Sequence, residues 1–273
     1  MRSLMSRLRM AVIGVGHLGQ HHARILAGLP DVSLVGVVDS NLDQAGLVAD
    51  RLGTKAYDSY APLLEEVDAV SVVTPTVYHH KVAAAFLERG VPVLVEKPIC
   101  RTLMEADDLI RLAAEKSVPL QVGHIERFNP AFEELSRRPI RPAFVEAERH
   151  GPFTGRSVDI GAVLDLMIHD LDLLLALIGS PVVEVDAVGA AVFGGHEDMC
   201  NARLLFENGC VAHVTASRIT VQPKRRLRIW ASEGYAGIDF VSRKLTLVQP
   251  SPEVRQFGLR VDRMDTASKA RLK

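Results

Sequence analysis

Five short apolar runs, separated by segments with helical spacing, fill the first half of this chain and limit its fold more than any other feature. They are "RMAVIGVG", "VSLVGVVD", "AVSVVTP", "VPVLVEKP" and "PLQVGH". The segments between them space their larger residues by three and four, as in Leu18, His22, Ile25 and Leu29, and two of them stop at Gly53 and Gly90. Strands this short, without polar alternation, are buried on both faces, as in a parallel sheet with helices on each side. Short right-handed crossovers then give a doubly wound α/β fold.

Past about residue 125 the rhythm changes. One strongly apolar helix, "GAVLDLMIHDLDLLLALIG", precedes the strands "VVEVDAVGAAVF", "CNARLLF", "VAHVTASRI", "RLRIWAS", "AGIDFV" and "KLTLVQ". Asn208-Gly209 between two of them is a hairpin signal. The pattern predicts an antiparallel meander, and so a second, α+β domain with a mainly antiparallel open sheet. The expected division is 1–125 and 126–273, with the basic leader "MRSLMSRLRM" as a ragged start before the first strand.

The turn after the first strand reads "VIGVGHLGQHHARIL", with Gly14, Gly16 and Gly19 as G-x-G-x-x-G. Gly14 permits the tight turn, Gly16 lets the backbone approach a pyrophosphate, and Gly19 allows close helix–strand packing. The helix that follows offers free N–H groups and a partial positive charge to the phosphates. Asp39 ends the second strand about 20 residues on, where a carboxylate accepts from ribose hydroxyls and repels a 2′-phosphate. This is the fingerprint of a Rossmann domain, and no arginine follows within "DSNLD", so NAD is favoured over NADP. His17 and Leu18 in the loop, Thr74 and Pro75 in "TPT", His79 just beyond, and Glu96 with Lys97 complete the expected cofactor-facing set.

Glu96-Lys97-Pro98 ends an apolar strand at the edge where open α/β sheets bind ligands. Pro98 fixes the turn, and Lys97 is placed to donate to a substrate oxygen or relay a proton. In the second domain Asp165 and His169 are spaced i, i+4 on an apolar helix, and Asp172 follows one turn later. Three polar groups on such a face cost desolvation, which points to use.

At these pieces the chain resembles the Gfo/Idh/MocA oxidoreductases. "GVGHLGQHHARIL", "VVTPTVYHHKVA", "VLVEKPIC" and a D-x-x-x-H-x-x-D helix occur in family order over residues 8 to about 245. The resemblance implies a first domain that binds NAD or NADP and a second whose open sheet often forms an oligomer face. It also implies that Lys97 and His169 frame the substrate carbinol, with Asp165 as the family's acidic residue one turn earlier. "VGHIERFNPAFEEL" and "LDLMIHDLDLL" resemble a branch that oxidises the 3-hydroxyl of UDP-N-acetylglucosamine to supply amino sugars for lipid A. Arg127 and Asn129 in "IERFNPA" are candidate substrate contacts. Two departures stand out: Met167 replaces a frequent glycine, and the sequence ends at "RMDTASKARLK", where relatives usually continue with helices.

With a formal net charge of −1, the chain gives no general case for nucleic acid or a membrane surface. No apolar run reaches the length of a spanning helix. Cys100, Cys200 and Cys210 form no C-x-x-C pair, which fits a reducing cytosol, and the paired histidines lack the partners of a metal site, so none is expected. The expectation is a cytoplasmic homo-oligomer, a dimer or tetramer joined through the C-terminal sheet, that oxidises a secondary hydroxyl of a nucleotide sugar. The alternative is a non-catalytic NAD(P)-binding sensor on the same fold.

Overall fold

The computed structural model describes residues 7–155, 159–193 and 195–251. The leader before Arg7 and the tail beyond Ser251, on both of which the sequence raised expectations, lie outside the described residues. The chain divides into two units, residues 1–124 and 125–273.

The first unit is a six-stranded parallel sheet in the order β3-β2-β1-β4-β5-β6. Its strands are β1 (Leu8–Ile13), β2 (Val32–Val38), β3 (Ala56–Tyr57), β4 (Ala69–Val72), β5 (Val93–Val95) and β6 (Leu120–Val122). Adjacent residues feed opposite faces. Val12 and Val37 pack with Ala23, Ala45 and Val48, whereas Ile13, Val38 and Val72 pack with Phe86 and Leu109. The crossover helices are α1 (Gly19–Gly28), α2 (Leu42–Leu52), α3 (His79–Leu87) and α4 (Leu103–Lys116). Asn41 caps α2, which closes on Gly53 at φ 65°, and Thr102 with Glu105 forms a capping box on α4.

The expected apolar stripe on α1 is not its buried face. Leu18, Ile25 and Leu29 are exposed, and the helix buries Gly19 and Ala23 instead. A Cβ on Gly19 would lie 1.8 Å from the Gly14 carbonyl oxygen. At that separation only small side chains fit between helix and sheet, so size overrides hydrophobicity.

The second unit begins with a 3₁₀ turn, Ile125–Phe128, and α5 (Pro130–Ser136). Its strands are β7 (Pro142–His150), β8 (Val182–Ala190), β9 (Met199–Phe206), β10 (Val211–Ser217), β11 (Lys224–Ala231), β12 (Gly234–Asp239) and β13 (Lys244–Val248). Their order is β13-β12-β11-β7-β10-β9-β8. The mainly antiparallel sheet is as expected, but it is not one meander. β7 separates two meanders and pairs parallel with β10 and antiparallel with β11. The sequence reading missed β7 because its inward residues are Val145, Ala147 and Arg149, and the buried arginine breaks the apolar alternation.

Arg149 is 2% exposed. Its guanidinium donates to both carboxylate oxygens of Asp170, at 3.0 and 2.9 Å, and to Glu126 at 3.1 Å. Asp170 lies on α6 (Ile168–Ile178), which covers one sheet face with Leu173, Leu174 and Ile178. The other face is open and carries charged and aromatic cross-strand contacts: Glu148 with Lys224, Glu146 with Arg228, and Phe144 beside Trp230.

Removing one member of the buried pair strands a charge. Arg149→Met is expected to destabilise the second unit by about 3–5 kcal/mol, whereas Arg149→Met with Asp170→Leu should cost much less. Trp230, the single tryptophan of the chain, stands on β11 and reports this unit's unfolding in urea by fluorescence. Equal losses in the single and double variants would refute the assignment.

Candidate active site

Each glycine of the first loop does a different job. Gly14 has φ +88°, and a Cβ there would lie 2.6 Å from the Val73 carbonyl oxygen. Gly19 admits no side chain, as described. Gly16 has nothing within 4 Å of its Cβ position, so its backbone borders open space. α1 follows Leu18 without a side-chain cap. The N–H of Gln20 bonds the Gly16 carbonyl and those of His21 and His22 bond the Leu18 carbonyl, so what this helix start offers a ligand is the turn from Gly16 to Gly19. His17 and Leu18 are exposed on this turn.

A cleft of about 400 Å³ opens at the carboxyl edge of the sheet, lined by Gly14, Asp39, Asp58, Thr74, Tyr78 and Lys81 among others. Asp39 accepts the N–H of Val15 and the N–H of Asn41, both at 3.0 Å, so its carboxylate is fixed beside the glycine loop. The Thr74 hydroxyl is buried without a hydrogen-bond partner, as expected of a group that a ligand satisfies. Pro75 is exposed next to it. Asp58, Tyr78 and Lys81 escaped the sequence reading. Asp58 follows the two-residue β3, too short to show a pattern; Tyr78 ends the 3₁₀ turn after β4 and Lys81 lies in the first turn of α3.

His79 does not face the cleft as expected. It is 1% exposed, with one ring nitrogen 2.8 Å from the Pro98 carbonyl and the other 2.8 Å from the Thr74 carbonyl. Each nitrogen faces a carbonyl of a cleft-edge turn, and the one that carries the hydrogen donates to it, so the ring is enclosed between the two turns and turned away from a cofactor.

Lys97 is half-buried at the end of β5, and the Lys97–Pro98 peptide is cis. Glu96 is only 8% exposed. Its carboxylate turns inward, toward His22 at 3.1 Å and the Lys97 N–H at 3.2 Å, instead of outward to a cofactor. Burial pushes the nearby Cys100 thiol up to about 12, which makes it an inert core residue and no nucleophile.

In the second unit the expected single helix starts as a π turn, Val163–Met167, and only then becomes α6. Such turns cluster at functional sites. Asp165 lies in the π turn and His169 in the first turn of α6, and both are half-buried. Met167 is 2% exposed and packs into the core. Glu197 anchors the start of the turn: its carbonyl accepts the Ala162 N–H at 2.8 Å and its carboxylate accepts the Val163 N–H at 3.1 Å.

The candidate substrate contacts have structural work of their own. Arg127 donates twice to Asp172, at 2.7 and 2.6 Å, and Asn129 caps α5 through Ala131 and donates to the Phe240 carbonyl. The most buried acid on the helix is Asp170, which the sequence reading passed over for Asp165 and Asp172. Among the described residues no group of three or more His, Cys, Asp or Glu side chains is arranged to hold a metal ion, and no helix is long and apolar enough to cross a membrane.

Residues 8–124 match the family model of an oxidoreductase family with an NAD-binding Rossmann fold, and residues 137–236 match the GFO/IDH/MocA C-terminal domain. UDP-N-acetylglucosamine 3-dehydrogenase of Acidithiobacillus ferrooxidans is 45% identical over 242 residues, 88% of this chain and 77% of that protein. The chain belongs to the Gfo/Idh/MocA oxidoreductase family. The solved structure of the Acidithiobacillus enzyme superposes with a TM-score of 0.85 over 90% of this chain and 81% of that one, at 44% identity. The NAD-dependent scyllo-inositol 2-dehydrogenase of Bacillus subtilis is 31% identical over 231 residues, 78% of this chain and 68% of that protein. The first unit is therefore an NAD-binding Rossmann domain, and the open Gly16, the uncapped α1 and the unpartnered Thr74 hydroxyl fit that cofactor.

Glu197 holds the start of the π turn, and its neighbour Asp198 sets the strand end. The Asp198 carboxyl is held at about 2 by the N–H groups of Phe193 and Val192 and by Arg218. A folded-state value below the unfolded one, about 3.9, contributes stability above about pH 4 that is lost as pH falls toward 2. Amide exchange around Val192, Phe193 and Val163 is expected to rise over that window, and Asp198→Asn should flatten the dependence. An unchanged acid profile in Asp198→Asn would contradict this.

Proposed function

We propose that this enzyme oxidises the 3-hydroxyl of a UDP-N-acetylhexosamine, UDP-N-acetylglucosamine above all, with NAD⁺ as acceptor. The observation that carries the reading is the 45% identity with UDP-N-acetylglucosamine 3-dehydrogenase over 242 residues, a length that spans more than either unit. Lys97 at the edge of the first sheet and Asp165 with His169 on the flank of the π turn and α6 supply the side chains that such a reaction needs.

Asp39, already fixed by Val15 and Asn41, accepts from the ribose hydroxyls. Asp39 and Asp58 together outnumber Lys81 in the cleft, so the local charge opposes a 2′-phosphate. NAD⁺, which the glycine loop and Asp39 would hold, would supply the acceptor for the carbinol hydrogen and its electron pair. His169 removes the hydroxyl proton, a task suited to the side chain whose unperturbed titration falls near physiological pH. Lys97 has the donor to stabilise negative charge that develops on a substrate oxygen. Asp165 orients His169 or receives a neighbouring hydroxyl.

The assay follows reduced cofactor by absorbance across a panel of UDP-sugars with NAD⁺ and NADP⁺. Lys97→Met should lower turnover about 10²-fold or more and His169→Ala about 10²- to 10⁴-fold, with NAD⁺ binding largely intact. If both serve one transition state, the double variant loses much less than the product of the single losses. Near-wild-type turnover in Lys97→Met would end the catalytic assignment. A protein that turns over no sugar yet binds NAD⁺ would favour the sensor.

Asp39 governs cofactor choice in this scheme. Asp39→Ser is expected to raise KM for NAD⁺ and improve relative use of NADP⁺. A wild type that already prefers NADP⁺ would overturn that role.

A further inference from the structure

His22 sits in the first turn of α1, the helix whose N-terminus faces the glycine loop. Its Nδ1 is 2.9 Å from the Ser71 hydroxyl on β4, and its Nε2 is 3.1 Å from Glu96 Oε1. The order serine, histidine, carboxylate is that of hydrolytic triads. Ser71, however, is 0% exposed, so no substrate reaches its oxygen, and a nucleophilic role is ruled out. What remains is a largely buried tie between three elements.

The polarity of that tie is set by its ends. An ionised Glu96 only accepts, so Nε2 carries the hydrogen, and Nδ1 then accepts from the Ser71 hydroxyl. A neutral ring matches both partners. The carboxylate is held from two more sides. Oε2 accepts the Lys97 N–H at 3.2 Å, and a Cβ on Gly123 would lie 2.6 Å from Oε1, so the β6 end closes directly over it.

We infer that His22 is a positioning residue for Lys97, acting through Glu96. It fixes the backbone from which the lysine leaves β5 and ties that backbone to the helix that opens the cofactor loop. A single helix then serves both cofactor binding, at its N-terminus, and orientation of the catalytic lysine, through its first turn. This rests on the catalytic role proposed for Lys97. Supporting residues of this kind decide whether a reacting group stands in the productive geometry, and a displacement of about 1 Å can cost about 10²-fold in rate.

The test is a double-mutant cycle on the full-length enzyme. His22→Leu should lower kcat about 10- to 10²-fold, while the calorimetric Kd for NAD⁺ and KM for NAD⁺ stay near wild type. His22→Gln, whose amide can donate to Glu96 in place of Nε2, should restore much of the lost turnover. In a Lys97→Met background His22→Leu should add no further loss, because the group it positions is gone. Losses that multiply in the double variant, or full turnover in His22→Leu, would overturn the inference. Full turnover in Lys97→Met would instead remove the catalytic reading beneath it, so the two failures are distinguishable. Should His22→Leu not fold, Glu96→Gln enters the same cycle with the same expectations.

Discussion

The second unit is organised around one buried ion pair, Arg149 of β7 with Asp170 of α6, their side chains 3% and 2% exposed. Two charges out of water are stable only when geometry and extra hydrogen bonds offset desolvation, and here the fork is bidentate and Glu126 takes a third bond. The pair fixes the rotation of α6. At about 100° per residue, an inward Asp170 brings Leu173 and Leu174 to the sheet on either side of it. His169 and Asp172 then share the adjoining flank, half in and half out of water. The wider π turn carries Asp165 onto that flank as well. A polar contact buried in the core thus sets the direction of side chains at the surface.

The first unit reaches a comparable result by steric means. Gly14 and Gly19 bring a turn and a helix to distances that no other residue would tolerate, so α1 starts directly over the end of β1. Around that edge the chain uses histidines as cross-braces: the partly buried His22 joins α1 to β4 and the end of β5, and the buried His79 lies between the turn after β4 and the turn after β5. Loops at a ligand-facing edge have few backbone partners of their own. The His22 ring can accept from one partner and donate to the other, and the His79 ring donates to one carbonyl while packing against a second, so each brace touches two elements at once.

Much of this was legible in the sequence, and the omissions share a cause. The alternation of apolar runs and helices, the glycine spacing and Asp39 at the end of β2 are local patterns, and they read directly. β3 has only two residues and shows no period. β7 was hidden by Arg149, because a buried charge looks like a surface residue until its partner is known. Asp170 stands beside His169 in "HDLD" with nothing in the string to separate it from Asp172. His79 and Glu96 were read as facing the cofactor, whereas both side chains turn inward, a direction set by partners such as the Pro98 carbonyl and the His22 ring on other elements.

The position of β7 also bears on how the second unit is made. Both of its neighbours, β10 and β11, follow it in the chain, beginning at Val211 and Lys224. During synthesis this central strand emerges before either partner exists, and more than sixty residues must follow before its first ladder can close. Contacts so distant in sequence pay loop-closure entropy before they reward it, so the sheet's centre is expected to be slow to form. An unpaired strand kept waiting invites association with other nascent chains. The charges of "VEAERH" counter that hazard, since Glu146, Glu148 and Arg149 make the lone segment a poor template for aggregation. The arginine that hid this strand in the sequence thus helps keep it soluble until Asp170 and the two flanking meanders have arrived.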